Sequence, residues 1–432
     1  GSNRTLGTSG RYSASVVFAA AWVTLVLTSV LSCLFLRLTR THPRILASSS
    51  LAGSLALYRL RKMDQIQRLW SWSITGQYLR SLAGVRYSRT GASECDSMFN
   101  LLPELVSADA QVFWAQGCFG NVVEQDQGYL LLRTADQGPN FFVGNNAVIG
   151  GGNLSDNLLV GVSTPASDIR FRRQVRTRES RALIVGGNPP LQFGEAGTRT
   201  DSLYDRLPSA GLFLARVLLN DVVRVALLPS TVVLIVALIM TALVFSGFSE
   251  PLSAVLAVVL AETAVVILAI VVKRLLVGPR WGRDHQTHFW SLRHFAYFFA
   301  QDCFLSWCAG PFGILEGTLM SNPLLRRFGC RIGRQALINT PMQAFDWNAV
   351  DIGENCVVEG MLQLHSFENG RLKVRASSLG DHSTLSIGAT LMGGASTASH
   401  CTIEPLALVT KEMHLGPGHY GGSPAQTVLH RS

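Results

Sequence analysis

Charged side chains are scarce in this sequence. Asp, Glu, Lys and Arg make up 15% of its 432 residues, where a soluble globular chain has about 25%. Hydrophobic residues make up 48%, and the mean hydropathy is +0.26. A fully soluble chain is therefore not expected. Disorder of the bulk of the chain is excluded, because disordered segments need low hydrophobicity and high charge.

Several chemical motifs are also absent from the sequence. It contains no CxxC pair, no nucleophile elbow, no Walker loop and no HExxH. The eight cysteines are scattered, so we expect free thiols and neither a disulfide framework nor a zinc ribbon. The segment 284–288 holds a His pair with ligand-like spacing, but no convincing third ligand is near. We interpret it as a juxtamembrane cap and predict no metal.

Three apolar runs predict an integral membrane protein. Residues 13–36, 225–249 and 251–272 are each long enough to cross about 30 Å of hydrocarbon. Lys and Arg cluster after the first run, before the second and after the third, which places the large segments on the cytosolic side. Basic residues that flank the predicted membrane segments thus account for the net charge of +9, and nucleic-acid binding is not predicted. We expect the intramembrane Glu262 to be protonated or to face another helix.

A period of six residues runs through the C-terminal part of the chain. The aliphatic positions recur at Leu379, Leu385, Leu391, Ile403 and Val409, with Thr397 completing the series. Neither a helix nor a simple strand explains this period. It is typical of a hexapeptide parallel β-helix, in which one aliphatic side chain per six-residue edge points inward. A weaker copy of the pattern lies around Val143 to Val160.

The predicted fold is therefore a membrane protein with transmembrane α-helices and two left-handed parallel β-helix domains, the first degenerate. The predicted organisation is an N-terminal transmembrane helix (1–40), a juxtamembrane helical segment (41–83), a degenerate hexapeptide β-helix (84–200), a transmembrane helical hairpin (201–275), aromatic interfacial helices (276–325) and a second β-helix (326–432). The aromatic segment has an alternative interpretation, in which its helices pack against the flank of the β-helix.

The best candidate for chemistry is segment 363–371, which leaves the six-residue register just after Leu364. A solenoid builds sites where an insertion departs from the regular coil. His365 is a candidate general base, and Glu368 is a candidate to orient it or to hold a substrate amine. The alternative is that His365 is an ordinary surface or core residue.

Several phrases of the sequence resemble one family. Val143-Gly144-Asn145-Asn146, Gln363-Leu364-His365-Ser366-Phe367-Glu368 and Leu408-Val409-Thr410-Lys411 are examples, and the resemblance continues over most of the chain from about Gly84. They are similar to the membrane-bound C-terminal region of the nonribosomal peptide synthetase-like enzymes that make amino-acid homopolymers such as ε-poly-lysine.

This resemblance implies an acyl or aminoacyl transferase that forms amide bonds. Its donor would be a thioester on a phosphopantetheine carrier or on coenzyme A. His365 matches the family's phrase, whereas Asn369 stands in place of an acid and Arg371 lies one position after the family's arginine. The resemblance implies catalytic roles for His365 and Glu368, and the implied substrate-binding residues are Gln363, Asn369, Arg371 and Lys411.

Three functions remain open from the sequence. An enzyme would contact membrane lipid and receive its donor from a carrier protein or from adenylation and carrier domains, since no carrier motif occurs in this chain. The enzyme hypothesis predicts an open cleft at His365. A catalytically degenerate β-helix serving as a structural subunit of a membrane complex predicts an enclosed His365. Transport through the helical hairpin at Glu262 is a third possibility.

Overall fold

The computed structural model describes residues 6–71, 73–87, 94–95, 98–109, 112–115, 117–139, 141–154, 158–166, 182–188, 190–196, 209–278, 284–340, 344–368 and 371–428. The chain divides into two compact units. The first comprises Gly1–Val160 and Ala166–Leu183, and the second comprises Gly161–Pro165 and Ile184–Ser432.

The first unit begins with three helices: α1 (Leu6–Leu38), α2 (Leu51–Leu69) and α3 (Ile74–Ala83). A serine caps the N-terminus of α2 and of α3 and satisfies a backbone N–H that the helix leaves free. Arg59 of α2 and Glu104 form a buried ion pair at 2.7 Å. Both charges are paired, so their burial is tolerated.

Short strands, all but β1 after these helices, form the sheets of the first unit. The strands are β1 (Arg44–Ala47), β2 (Arg86–Tyr87), β3 (Glu94–Cys95), β4 (Met98–Phe99), β5 (Val106–Ala108), β6 (Phe113–Trp114), β7 (Cys118–Phe119), β8 (Val123–Asp126), β9 (Tyr129–Leu132), β10 (Ala135–Gln137), β11 (Phe142–Val143), β12 (Val148–Ile149), β13 (Gly152–Leu154) and β14 (Leu158–Val160). β2, β5, β10 and β13 are neighbours in one parallel sheet, β3, β6, β11 and β14 in a second, and β4, β7 and β12 in a third. Successive strands thus visit three sheets in turn. The exceptions are β8 and β9, which form an antiparallel hairpin that also pairs with β1.

Three strands follow in the part of the sequence where the two units alternate. They are β15 (Pro165–Ala166), β16 (Ala182–Gly186) and β17 (Leu191–Ala196). The second unit then contains α4 (Ala210–Arg216), a π-helix (Val217–Leu227), α5 (Leu228–Phe245), α6 (Glu250–Leu276), α7 (Leu292–Leu315) and α8 (Ser321–Arg327). α7 carries most of the aromatic segment of the sequence. Phe295, Tyr297, Phe298, Phe304 and Trp307 are all buried, which favours packing of this helix within the protein.

One helix among the described residues, Glu250–Leu276, is long and apolar enough to cross a membrane. The other two predicted spans contain shorter apolar helices, Trp22–Leu38 and Ser230–Phe245. Three membrane spans and their orientation therefore stay a prediction. Glu262 of α6 does face another helix: a Cβ atom added to Gly310 of α7 would lie 3.3 Å from its Oε1.

The C-terminal part of the second unit is built from strands. They are β18 (Asp284–His288), β19 (Arg331–Ile332), β20 (Leu337–Ile338), β21 (Val350–Ile352), β22 (Val357–Val358), β23 (Met361–Gln363), β24 (His365–Glu368), β25 (Arg371–Arg375), β26 (Ser377–Leu379), β27 (Thr384–Leu385), β28 (Thr390–Met392), β29 (Ser396–Thr397), β30 (Cys401–Ile403), β31 (Leu408–Val409), β32 (His414–Leu415), β33 (Gly418–Gly421) and β34 (Gln426–Thr427). β19, β21, β26, β29 and β32 form one parallel sheet, β20, β22, β27, β30 and β33 a second that ends in the antiparallel β34, and β23, β28 and β31 a third.

The six-residue pattern coincides with this arrangement. Each step from Leu379 to Leu385 to Leu391 moves to the next sheet, and Thr397 returns to the first. The same positions are buried and pair between neighbouring strands, as Leu385 does with Ile403. The repeat therefore marks the inward positions of three sheets. Closure into a left-handed β-helix, here and in the first unit, stays a prediction.

Two segments interrupt the regular strands. The first lies between Ile338 and Ile352 and includes a short 3₁₀-helix, Trp347–Ala349. The second follows Leu364, where β24 and β25 form an antiparallel hairpin. β18 pairs with the outer edge of β25. The segment 284–288, interpreted from the sequence as a juxtamembrane cap, is therefore a strand that extends this hairpin into a three-stranded sheet.

Candidate active site

The two interruptions of the strand pattern meet at one pair of side chains. Nδ1 of His365 lies 2.6 Å from Oδ2 of Asp346. The Asp346 side chain is 5% exposed and that of His365 is 20% exposed. A carboxylate that is buried against one nitrogen of a partly accessible imidazole orients the ring and fixes which nitrogen carries the proton.

Local structure explains why these two residues meet. His365 is the first residue of β24, and its backbone faces Val374 across the antiparallel hairpin. Asp346 immediately precedes the 3₁₀-helix, whose first residue, Trp347, is completely buried. The backbone N–H of Ala349 donates to the Asp346 carbonyl at 2.7 Å and closes this turn. Both residues are therefore fixed to structured segments.

The other oxygen of the Asp346 carboxylate is also bonded. The hydroxyl of Tyr297, on α7, donates a short hydrogen bond to Oδ1 of Asp346. Burial would raise the pKa of Asp346, but the charge of His365, the hydrogen bonds from His365 and Tyr297, and the charge of Lys273 together outweigh it and lower that pKa below its ordinary value. Asp346 is thus an ionised carboxylate with both oxygens occupied at neutral pH.

This arrangement gives His365 the geometry of a general base. An ionised Asp346 accepts a hydrogen bond from Nδ1–H, so Nε2 is the nitrogen that can take a proton from a substrate. Proton transfer to or from a positioned side chain contributes typically 10²- to 10⁴-fold to a rate. The pair can therefore assist attack by an amine or a hydroxyl.

His365 is one of the residues that line a pocket of about 60 Å³. The charged residues that line it, among those the structure describes, are Lys373, Arg375, Lys411 and Glu412. Lys373 and Arg375 are two positions apart on β25, so they share a face of the hairpin. Arg375 is itself paired with Asp284 at 3.4 Å, so the lining is polar and suits a polar or charged part of a substrate.

Two of the predicted site residues, His365 and Lys411, line this pocket. The others are not among its lining residues. Gln363 is buried on β23, and its Oε1 has no hydrogen-bond partner among the described residues. Arg371 begins β25, where its backbone faces both Glu368 and His288. Glu368 is described by its backbone in β24 alone, and Asn369 lies outside the described residues.

Three residues of the site were missed by sequence reasoning: Asp346, Tyr297 and Lys273. Asp346 falls in the first of the two breaks in the six-residue pattern, and that break is the signal that could have pointed to it. Tyr297 looked like one aromatic residue among many in its helix. Lys273 was counted among the cations that mark the cytosolic end of a membrane span. The structure instead buries Lys273, which is 4% exposed.

The described residues contain no group of three or more His, Cys, Asp or Glu side chains placed to hold a metal ion. His285 and His288 are paired through their backbones with Val374 and Arg371.

A second histidine, His294 on α7, is buried next to the site. Its ring lies among Phe289, Phe298 and Phe367, with centroid distances of 4.5, 4.6 and 6.1 Å. Its Nδ1 has no hydrogen-bond partner in the described part of the chain. Burial, followed by the charges of Arg216 and His365, lowers the pKa of His294 well below 6.5. His294 is therefore neutral in the folded protein.

We expect His294→Leu to make the protein less sensitive to mild acid. The unfolded chain binds a proton at this position below about pH 6.5, whereas the folded chain does not. Stability is therefore present above that pH and falls by up to about 1.4 kcal/mol per pH unit below it. The measurement is the loss of melting temperature between about pH 7.5 and about pH 5.5, in detergent, for the wild-type protein and for His294→Leu. An equal loss of melting temperature in both proteins would contradict the prediction.

The chain is distantly similar to one known synthetase. It is 22% identical over 351 residues to the delta-poly-L-ornithine synthetase of Acinetobacter baumannii (strain AB307-0294), a match that covers 78% of this chain and 26% of that protein. The chain thus spans about a quarter of the length of this relative, which is an amino-acid homopolymer synthetase. No family model matches the sequence. No solved structure matches it either.

Proposed function

We propose that this chain is a membrane-anchored transferase module that forms an amide bond between a thioester-bound acyl or aminoacyl group and an amine. The observation that carries this proposal is the Asp346–His365 pair, whose histidine is among the residues that line a pocket. The distant similarity to a polyornithine synthetase supports a peptide- or amide-bond-forming role. The donor is a phosphopantetheine carrier or coenzyme A thioester, delivered by carrier domains or by a partner protein.

The proposed reaction uses His365 twice. Nε2 of His365 takes a proton from the acceptor amine as its nitrogen attacks the thioester carbonyl carbon. The carbon–sulfur bond then breaks, and the imidazolium returns the proton to the leaving thiolate. Asp346 keeps the ring in the correct tautomer and stabilises the imidazolium. Lys411, which lines the same pocket, contacts the substrate.

The architecture that we propose for this module agrees with the sequence expectations. The parallel sheets of each unit are β-helix coils, and the apolar helices anchor them in a membrane with both coils on the cytosolic side. The partners are membrane lipid and the protein that supplies the thioester. The Asp346–His365 hydrogen bond supports transfer chemistry over a purely structural role, because it can orient the imidazole as a base.

The test is transfer of a labelled aminoacyl group from a thioester to an amine by the purified protein in detergent. We expect His365→Ala to lower the rate by about 10²- to 10⁴-fold. His382→Ala is the matched control, because His382 is exposed and stacks on His400 rather than touching Asp346. Folding of each variant is checked by circular dichroism.

An unchanged rate in folded His365→Ala would reject the proposal. If the wild-type protein transfers nothing from several donors and instead purifies with stoichiometric partner subunits, the structural-subunit interpretation replaces it.

A further inference from the structure

Lys273 lies in an unusual place for the last turn of an apolar helix. A lysine at such a position ordinarily extends its charged end to water. Lys273 is instead 4% exposed, whereas the next residue, Arg274, is exposed. Burying an ammonium group is costly unless it is bonded and paired. The surroundings of Lys273 therefore must stabilise its charge.

Those surroundings are the segment that carries Asp346. Nζ of Lys273 donates to the backbone carbonyl of Phe345 at 2.7 Å. The same ammonium lies 4.6 Å from the centroid of the Phe345 ring and 5.7 Å from that of Phe328, within the range of cation–π attraction. Its charge also acts on the Asp346 carboxylate. One side chain of α6 thus binds the residue immediately before the proposed orienting carboxylate.

The Phe345 side chain is held from a second helix. Its ring packs against Tyr297 and Phe304 of α7, with centroids 5.1 and 6.0 Å apart. Tyr297 in turn donates to Asp346. The backbone of residues 345–346 is therefore clamped between α6 and α7, with Lys273 as the direct hydrogen-bond donor to it.

We infer that Lys273 is a positioning residue for the Asp346–His365 pair: it holds the Phe345 carbonyl and so fixes the carboxylate against the imidazole. The inference rests on the proposed function of that pair. It also links the end of the candidate membrane helix α6 to the geometry of the site. A displacement of about 1 Å at a catalytic group can cost about 10²-fold in rate, so a small loosening of this bond has a measurable effect.

The first test is independent of turnover. An imidazole Nδ1–H bonded to a carboxylate gives a proton resonance far downfield, and its disappearance in His365→Ala assigns it to this pair. We expect Lys273→Met, which has nearly the same length but no charge or donor, to weaken or abolish that resonance. Arg274→Met is the matched control, because it removes the same charge from the same helix end, where Arg274 contacts the Arg327 carbonyl.

The second test is kinetic. We expect Lys273→Met to lower kcat by about 10- to 100-fold with little change in KM, because positioning affects the chemical step and not the binding of substrate. If Lys273→Met does not fold, Lys273→Gln, which keeps an N–H but is shorter and uncharged, is measured in its place with the same expected loss.

A folded Lys273 variant that keeps the resonance, or a control Arg274→Met that loses it equally, would overturn the inference. A wild-type protein without turnover would reject the proposed reaction, while the resonance would still decide the role of Lys273.

Discussion

Replacing Asp346 by asparagine is expected to lower kcat of the proposed transfer by about 10³- to 10⁴-fold. The corresponding change in serine proteases costs about 10⁴-fold, because the amide favours the wrong imidazole tautomer. The structure supplies a reason for the same outcome here. Tyr297 donates to Oδ1, so the amide oxygen of Asp346→Asn occupies that position and its NH₂ group faces Nδ1 of His365.

The asparagine changes which nitrogen of His365 carries the proton. An NH₂ group facing Nδ1 requires a lone pair there, which moves the ring proton to Nε2. Nε2 can then no longer accept a proton from the substrate amine. Substrate binding is expected to be unaffected, because Asp346 is buried and is not among the residues that line the pocket. The loss is therefore expected in kcat, with KM nearly unchanged.

A matched variant separates this effect from a general effect of removing a carboxylate. Asp351→Asn makes the same substitution on β21, where Asp351 forms a surface ion pair with Arg331 at 3.8 Å. Such a pair contributes about 0 to 1 kcal/mol. We measure kcat and KM for both variants, and thermal unfolding to check that both fold. A loss of kcat in Asp346→Asn alone is the expected result. Equal rates for Asp346→Asn and the wild-type protein would remove Asp346 from the mechanism.

The sequence predicted the parts of the structure that depend on local repetition. The step from Leu379 to Leu385 to Leu391 marks buried positions in three successive sheets, because each six-residue step places one aliphatic side chain in the core. The same regularity made its interruption after Leu364 visible, and His365 was found there. A periodic pattern therefore reveals both the core and the place where the core is interrupted.

The rest of the site depends on contacts between residues far apart in the chain. Tyr297 is 49 positions from Asp346, and Lys273 is 72 positions from Phe345. No spacing within a helix relates these residues, so a single sequence cannot bring them together. The burial of Lys273 was unpredictable for the same reason, because a cation at the end of an apolar helix is ordinarily a mark of membrane orientation.

The close stacking of the C-terminal strands leads to the largest expected change in stability. A Cβ atom added to Gly380 would lie 2.4 Å from the carbonyl carbon of Ala398, and one added to Gly353 would lie 2.6 Å from the backbone nitrogen of Asp381. These neighbours are backbone atoms of the adjacent turn and cannot rotate away. The glycines are required here for close approach between successive turns.

We therefore expect Gly380→Ala to destabilise the protein by about 3 kcal/mol or more, since the strands must separate to admit the methyl group. Gly416→Ala is the control: its nearest neighbour would be the Tyr420 hydroxyl at 3.7 Å, an ordinary contact, and its effect should stay within about 0.5 kcal/mol. Thermal unfolding in detergent, followed by circular dichroism, should show a melting temperature lower by about 6 to 12 °C for Gly380→Ala alone. Equal melting temperatures for the two variants would mean that successive turns are not closely stacked, and the six-residue pattern would then need another explanation.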